Sequence, residues 1–255
     1  MFRVLVSILL LFAFIRCSAQ FDVREIDKSL VRINDTLYVS KFEVSNKLYQ
    51  AFIVSQNNSS QNHESSAIQP NRVDSVRWRS CNLPCEPYVE YYHFHPAFDL
   101  YPVVNISHQS AIHFCEWLTK QYNASTSKAV HSTAVFRLPT EQEWILAATR
   151  GSQAKYGWGD DLLMDKKGRK NGNFQSNDSN EILAITLESV ESSKPNKQNG
   201  LHQMSGNVAE MVASSTIVKG GDWMHTSEFL ELTSQMHYSG GAEPFVGFRY
   251  FMVAK

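Results

Sequence analysis

Apolar and polar positions alternate over residues 29–44 and break at Asn34-Asp35. This predicts a hairpin in which residues 30–33 pair with residues 37–39. The period then lengthens. Ser45 stands where a helix N-cap belongs, ahead of Leu48, Tyr49, Phe52 and Ile53 on one helical face. Residues 56–66 are polar and read as a surface loop. Residues 88–104 are aromatic and irregular, with Pro96 and Pro102 interrupting regular structure. Ser107 caps a second predicted helix, whose Ala111, Phe114, Cys115, Leu118 and Tyr122 recur at helical spacing. Thr140 and Glu143 form the capping box of a third, with Pro139 before it and Gly151 as its stop. From Tyr156 onward the chain is rich in turns. Long loops of this kind need ions or tight aromatic packing to hold them.

Composition narrows the class. Apolar residues make up 43% and charged residues 19%, which is the balance of a globular chain. Net charge is −1, so no strong field favours nucleic acid or an anionic membrane. Without an internal repeat or linker, residues 20–255 read as a single domain. Residues 1–19 read as a signal peptide: Arg3, an apolar run over 4–15 and a cleavage site at Ala19. The run is short for a membrane span, and no transmembrane helix is expected after cleavage. The expected location is exported: periplasmic, cell-surface or secreted. A lipoprotein anchored at Cys17 is the rival reading, opposed by Arg16 directly before it.

The remaining candidate chemistry is sparse. Cys81 and Cys85 enclose three residues and are expected to form a local disulfide. Part of a metal site is the alternative, but no second pair completes a thiolate cage. His93 and His95 would share a face on a strand, yet no third ligand accompanies them, and His95 before Pro96 reads as a turn residue. Asp160-Asp161 reads as a solvated turn or helix cap.

An ordered set of motifs goes further. Residues 42–49 (FEVSNKLY), 101–104 (YPVV) with 114–118 (FCEWL), 137–144 (RLPTEQEW), 156–160 (YGWGD), 206–210 (GNVAE), 220–223 (GGDW) and 247–249 (GFR) follow one another. Together they resemble the sulfatase-modifying-factor family, which contains the formylglycine-generating enzyme. The resemblance implies an α+β fold related to C-type lectins, with little regular secondary structure. The segment 92–96 (YHFHP) also resembles exported Bacteroidetes members, some of them gliding-motility and type IX secretion lipoproteins.

In the family enzyme two cysteines between GG-x-W and GFR bind Cu(I), for which soft thiolates are suited. Here no cysteine follows Cys115. His225 falls at the first position and Leu230 at the second, so copper is not expected and no catalytic residue is assigned. His225 with His237 is an imaginable imidazole pair, with the polar loop histidine as the plainer reading. The resemblance also implies structural Ca2+. One site would use Glu210, the Gly206 and Val208 carbonyls, and Gln203 where Asn or Asp is usual. A second would use Asn173 and the Phe174 carbonyl. Ala209 and Met211 replace two tryptophans, a loss expected to loosen the core or open a groove. The favoured function is a non-catalytic binding or assembly module of the cell envelope, with a protein or glycan partner. The alternatives are an oxidase with altered metal ligands and a lectin-like binder of carbohydrate or peptide.

Overall fold

The computed structural model describes residues 21–59, 71–81, 83–128, 131–159, 162–176 and 184–255. The predicted signal peptide, Cys17 and the Asp160-Asp161 pair lie outside them. Among the described residues no helix is long and apolar enough to cross a membrane.

The chain opens with a short helix, α1 (Val23–Ser29), that the alternation did not predict. Asp22 caps it by accepting from the Arg24 amide at 2.9 Å. The predicted hairpin follows as β1 (Leu30–Arg32) and β2 (Leu37–Ser40), with Leu30 opposite Ser40. The Asn34 side chain closes its turn by accepting from the amides of Thr36 and Leu37.

Helix α2 (Asn46–Ser59) begins at Ser45, whose hydroxyl accepts from the Leu48 amide. It includes residues 56–59, which were expected in the loop; the rest of that predicted loop, residues 60–66, lies outside the described residues. The irregular aromatic stretch contains one short helix, α3 (Glu86–Tyr91), with Pro87 tolerated in its first turn. Helix α4 (His108–Ala124) is capped by Ser107 and buries all five residues of the predicted face. Helix α5 (Glu141–Thr149) has the complete capping box. Its left-handed terminal residue is Arg150 itself, one position before the expected glycine.

The strands make two four-stranded sheets. The first has the order β1-β2-β8-β3 and is antiparallel, with β3 at Ala134–Arg137 and β8 at Phe251–Ala254. Its β3 edge is covered by α4. Thr119 accepts from the Phe136 amide at 2.8 Å, and Asn123 bonds both backbone groups of Ala134. This leaves less of that edge open to another chain. The second sheet has the order β6-β5-β4-β7: β4 (Ala209–Met211), β5 (Ile217–Lys219), β6 (Met236–His237) and β7 (Val246–Gly247). Only β4 and β7 run parallel.

The main core lies between α2, α4 and the sheets. Tyr49, Phe52, Phe114 and Trp117 meet there in edge and stacked contacts, with Phe248 against Phe114. Ala209 and Met211 are fully buried within this core. No groove opens over these two side chains, contrary to one of the two expected consequences of the lost tryptophans.

Candidate functional site

The signature motifs converge on a buried polar hub. The Glu210 carboxylate on β4 receives the Arg249 guanidinium, with Nε at 2.8 and 2.7 Å from its two oxygens. Glu210 Oε2 also accepts from the Trp144 indole at 2.7 Å. Arg249 spends its remaining donors on the carbonyls of Ser40, Lys41 and His202. Both charged groups are buried, so each compensates the other's loss of water. Lys219 lies beside them, buried over the Trp144 ring and bonded to Glu141 at 3.1 Å. Asn199 ties the end of α5 to the same region through the carbonyls of Ala147 and Ala148.

A second cluster sits at the turn through Gly206 and Asn207. Both residues are left-handed, and a Cβ on Gly206 would stand 2.5 Å from the Asn173 carbonyl. The Asn207 side chain accepts from Asn173 and from the Glu188 amide, and donates to Glu43 at 2.7 Å. Glu43 also accepts from the Val208 amide. It is buried beside Glu210, and both effects push its carboxyl well above the usual range, burial more than the neighbouring charge.

The segment between GGDW and GFR is built differently. Asp222 is buried, and its Oδ1 accepts from the backbone amides of Met224 and His225. The same carboxylate holds His225 Nδ1 at 2.9 Å, which raises the imidazole pKa. His225 is half-buried, edge-on to Phe229 and Phe245. Leu230 is fully buried against Tyr156 and Phe174, and it fills the space beside Gly221 where a Cβ would meet it at 2.9 Å. The two positions of the family's cysteines thus hold an oriented imidazole and a core leucine. His237 is on β6, opposite Ile217, with no bond or ring contact to His225. Among the described residues no three His, Cys, Asp or Glu side chains are grouped to hold a metal.

A cleft of about 310 Å³ opens next to this loop. Trp223, Met224, Cys81, Lys170, Asn173 and Glu188 are among its walls. Trp223 itself is buried, with its indole donating to the Pro244 carbonyl.

Of the predicted calcium residues, Glu210 does not fit a calcium ion, because Arg249 and Trp144 occupy its oxygens. Asn173 is bonded to Thr186 and Asn207, and the Phe174 carbonyl accepts from the Lys170 ammonium at 2.8 Å. Gln203 is likewise engaged by the protein: its carboxamide lies 3.2 Å from both Glu43 Oε2 and the Val190 carbonyl, two acceptors that its NH2 satisfies when turned towards them. Glu43 escaped the sequence reading because its partners lie some 165 residues downstream.

Cys81 and Cys85 are free thiols in the structure, not the expected disulfide. Cys81 closes a 3₁₀ turn (Ser75–Cys81) and Cys85 opens α3, both packed around Trp78 and Tyr92. Burial first, then the neighbouring thiol, pushes Cys81 up to about 12, far from the thiolate that disulfide exchange needs. Cys115 is buried on α4, and burial raises its pKa as well. His93 and His95 do not share a face. His93 is buried against Asn46, its pKa lowered to about 3 by desolvation. His95 caps a turn by accepting from the Ala97 amide.

Among the described residues, two small sheets, capped helices packed against them and the Glu210–Arg249 hub define an α+β scaffold of the formylglycine-generating-enzyme type. The chain belongs to the FGE-sulfatase family, the sulfatase-modifying factor enzyme 1-like domains, whose pattern it matches over residues 18–254. It is 28% identical over 137 residues to the bovine (Bos taurus) "Inactive C-alpha-formylglycine-generating enzyme 2", covering 50% of this chain and 40% of that protein. It is 33% identical over 117 residues to the formylglycine-generating enzyme of Thermomonospora curvata, covering 44% of this chain and 33% of the enzyme. The chain therefore spans well under half the length of these curated relatives. Among solved structures it is similar to PvdO from Pseudomonas aeruginosa, with TM-score 0.57, 15% identity, and coverage of 85% of this chain and 80% of that one. CarF gives TM-score 0.57 at 19% identity, covering 89% and 93%. These two likenesses concern the fold.

Proposed function

We propose that this chain is an exported, non-catalytic member of the family that works as a binding or assembly module of the cell envelope. The observation that carries this reading is Leu230, a core residue at the second of the two positions where the enzyme needs a thiolate. The similarity to an inactive formylglycine-generating enzyme supports it. The cleft beside the GGDW loop is the contact surface for a protein or glycan partner. To test it, the chain is expressed with its own leader in a Gram-negative host. Cleavage after Ala19 and release to the periplasm are expected; retention of the intact chain in the cytoplasm contradicts export. Crosslinking in the native envelope is expected to capture a partner that Met224→Asp loses. Capture unaffected by that variant contradicts the cleft.

A second reading, a metal-dependent oxidase with altered ligands, is favoured by one observation: Asp222 orients His225 as carboxylates orient metal-bound imidazoles. Stoichiometric copper or iron in protein purified without chelator supports that reading, and their absence contradicts it. The lectin-like reading calls for an exposed aromatic at the GGDW loop, and Trp223 is buried.

A further inference from the structure

The loop that carries Asn173 and Phe174 folds back on itself. Lys170 bridges Met164, the Asn171 amide donates to the Leu163 carbonyl, and the Asn171 side chain donates to the Leu162 carbonyl. This hairpin delivers the Lys170 ammonium to the Phe174 carbonyl at 2.8 Å and over the Phe174 ring at 5.3 Å. The oxygens expected to bind calcium here already face donors: Phe174 O faces the ammonium, and Asn173 Oδ1 faces the Thr186 hydroxyl at 3.2 Å. The Asn173 amide nitrogen donates to Thr186 O and Asn207 Oδ1.

We infer that Lys170 is the resident cation of the 162–175 loop, an ammonium in the position where the family resemblance places a calcium ion. The chemistry is consistent. An ammonium offers three donors and a single charge, enough for a carbonyl and a ring face. A calcium ion needs six to eight oxygens, and none of these is left open at Asn173 and Phe174. Because Lys170 and Phe174 line the cleft next to the GGDW loop, that wall is set by the chain's own side chain and needs no metal.

Peptide-resolved hydrogen exchange on the full chain tests it, with inorganic calcium or EDTA as the only additions. Protection of the 162–175 amides is expected to be the same in both. Lys170→Met is expected to lower that protection by about tenfold in both, while the α4 peptides keep theirs. Lys170→Arg, which keeps a cation, is expected to remain near wild type. Calcium-dependent protection of 162–175 in the wild type overturns the inference. So does a Lys170→Met variant that exchanges like wild type. If that variant unfolds throughout, the arginine variant decides: retained protection supports the inference, and loss overturns it.

Discussion

The hub around Glu210 and Arg249 and the loop from Gly220 to Leu230 lie next to each other and follow opposite rules. In the hub, each signature residue has a partner far away in sequence. Glu210 meets Trp144 and Arg249, and Arg249 reaches Ser40 and His202. Losing any one leaves a buried charge or carbonyl without compensation. In the loop, by contrast, Asp222 acts locally, turning the backbone and holding His225, and Leu230 contributes packing alone, against Tyr156 and Phe174. The family signature therefore reports architecture. Where the resemblance places the enzyme's two thiolates, this chain has a loop imidazole and a core leucine, and the hub draws on neither.

The largest expected effect breaks the hub. Glu210→Ala is expected to cost about 3–5 kcal/mol in urea unfolding, since it strands the Arg249 guanidinium in the core. A cost below about 1 kcal/mol would show that the pair is not the keystone of the fold. Leu230→Ala comes next, at about 2–5 kcal/mol, because it empties a filled site beside Gly221. His225→Ala is the contrasting substitution, expected to cost about 1 kcal/mol or less, since the Asp222 carboxylate keeps its backbone donors. Equal losses at 225 and 230 would erase the distinction between a packed leucine and a loop imidazole.

Two pH effects are smaller. Glu143 is clamped by Arg137 through two 2.7 Å bonds, and its carboxyl is lowered from 4.5 to about 2. Its contribution is fully present above about 4.5 and lost as pH falls toward about 2. Glu143→Gln should flatten the acid limb of the stability curve. His225 has the opposite sign. Hydrogen bonding to Asp222 raises its pKa, so its contribution is complete below about 6.5 and lost as pH rises through the folded value. An NMR titration should show the raised value in the wild type and its return toward normal in Asp222→Asn. An unchanged titration in that variant would remove Asp222 as the cause.

Local features were legible in the sequence and distant ones were not. The capping box of α5 and the Ser107 cap of α4 are written within three residues of each other, and both formed as expected. The hairpin is equally local. Helix α1 was hidden because about two turns of helix with two buried residues leave no clear period. Glu210 read as a calcium ligand because the family resemblance implies structural calcium at the GNVAE segment. Its true partner, Arg249, lies 39 residues away in a motif read separately. Glu43 was missed for the same reason: its partners are set by tertiary folding and not by spacing. Lys170 was missed although Phe174 is only four residues on, because no regular element marks that spacing. The cysteine pair differs as well: a short Cys-x3-Cys spacing suggests a bond, and the structure has both thiols free and buried.

The central claim is a retained scaffold without formylglycine chemistry. The direct measurement is mass spectrometry of a cysteine-containing sulfatase-motif peptide after incubation with the purified mature chain, Cu(I) and oxygen. The account predicts that the cysteine is recovered unchanged, because His225 and Leu230 do not provide a thiolate pair. Catalytic conversion of that cysteine to formylglycine would contradict it.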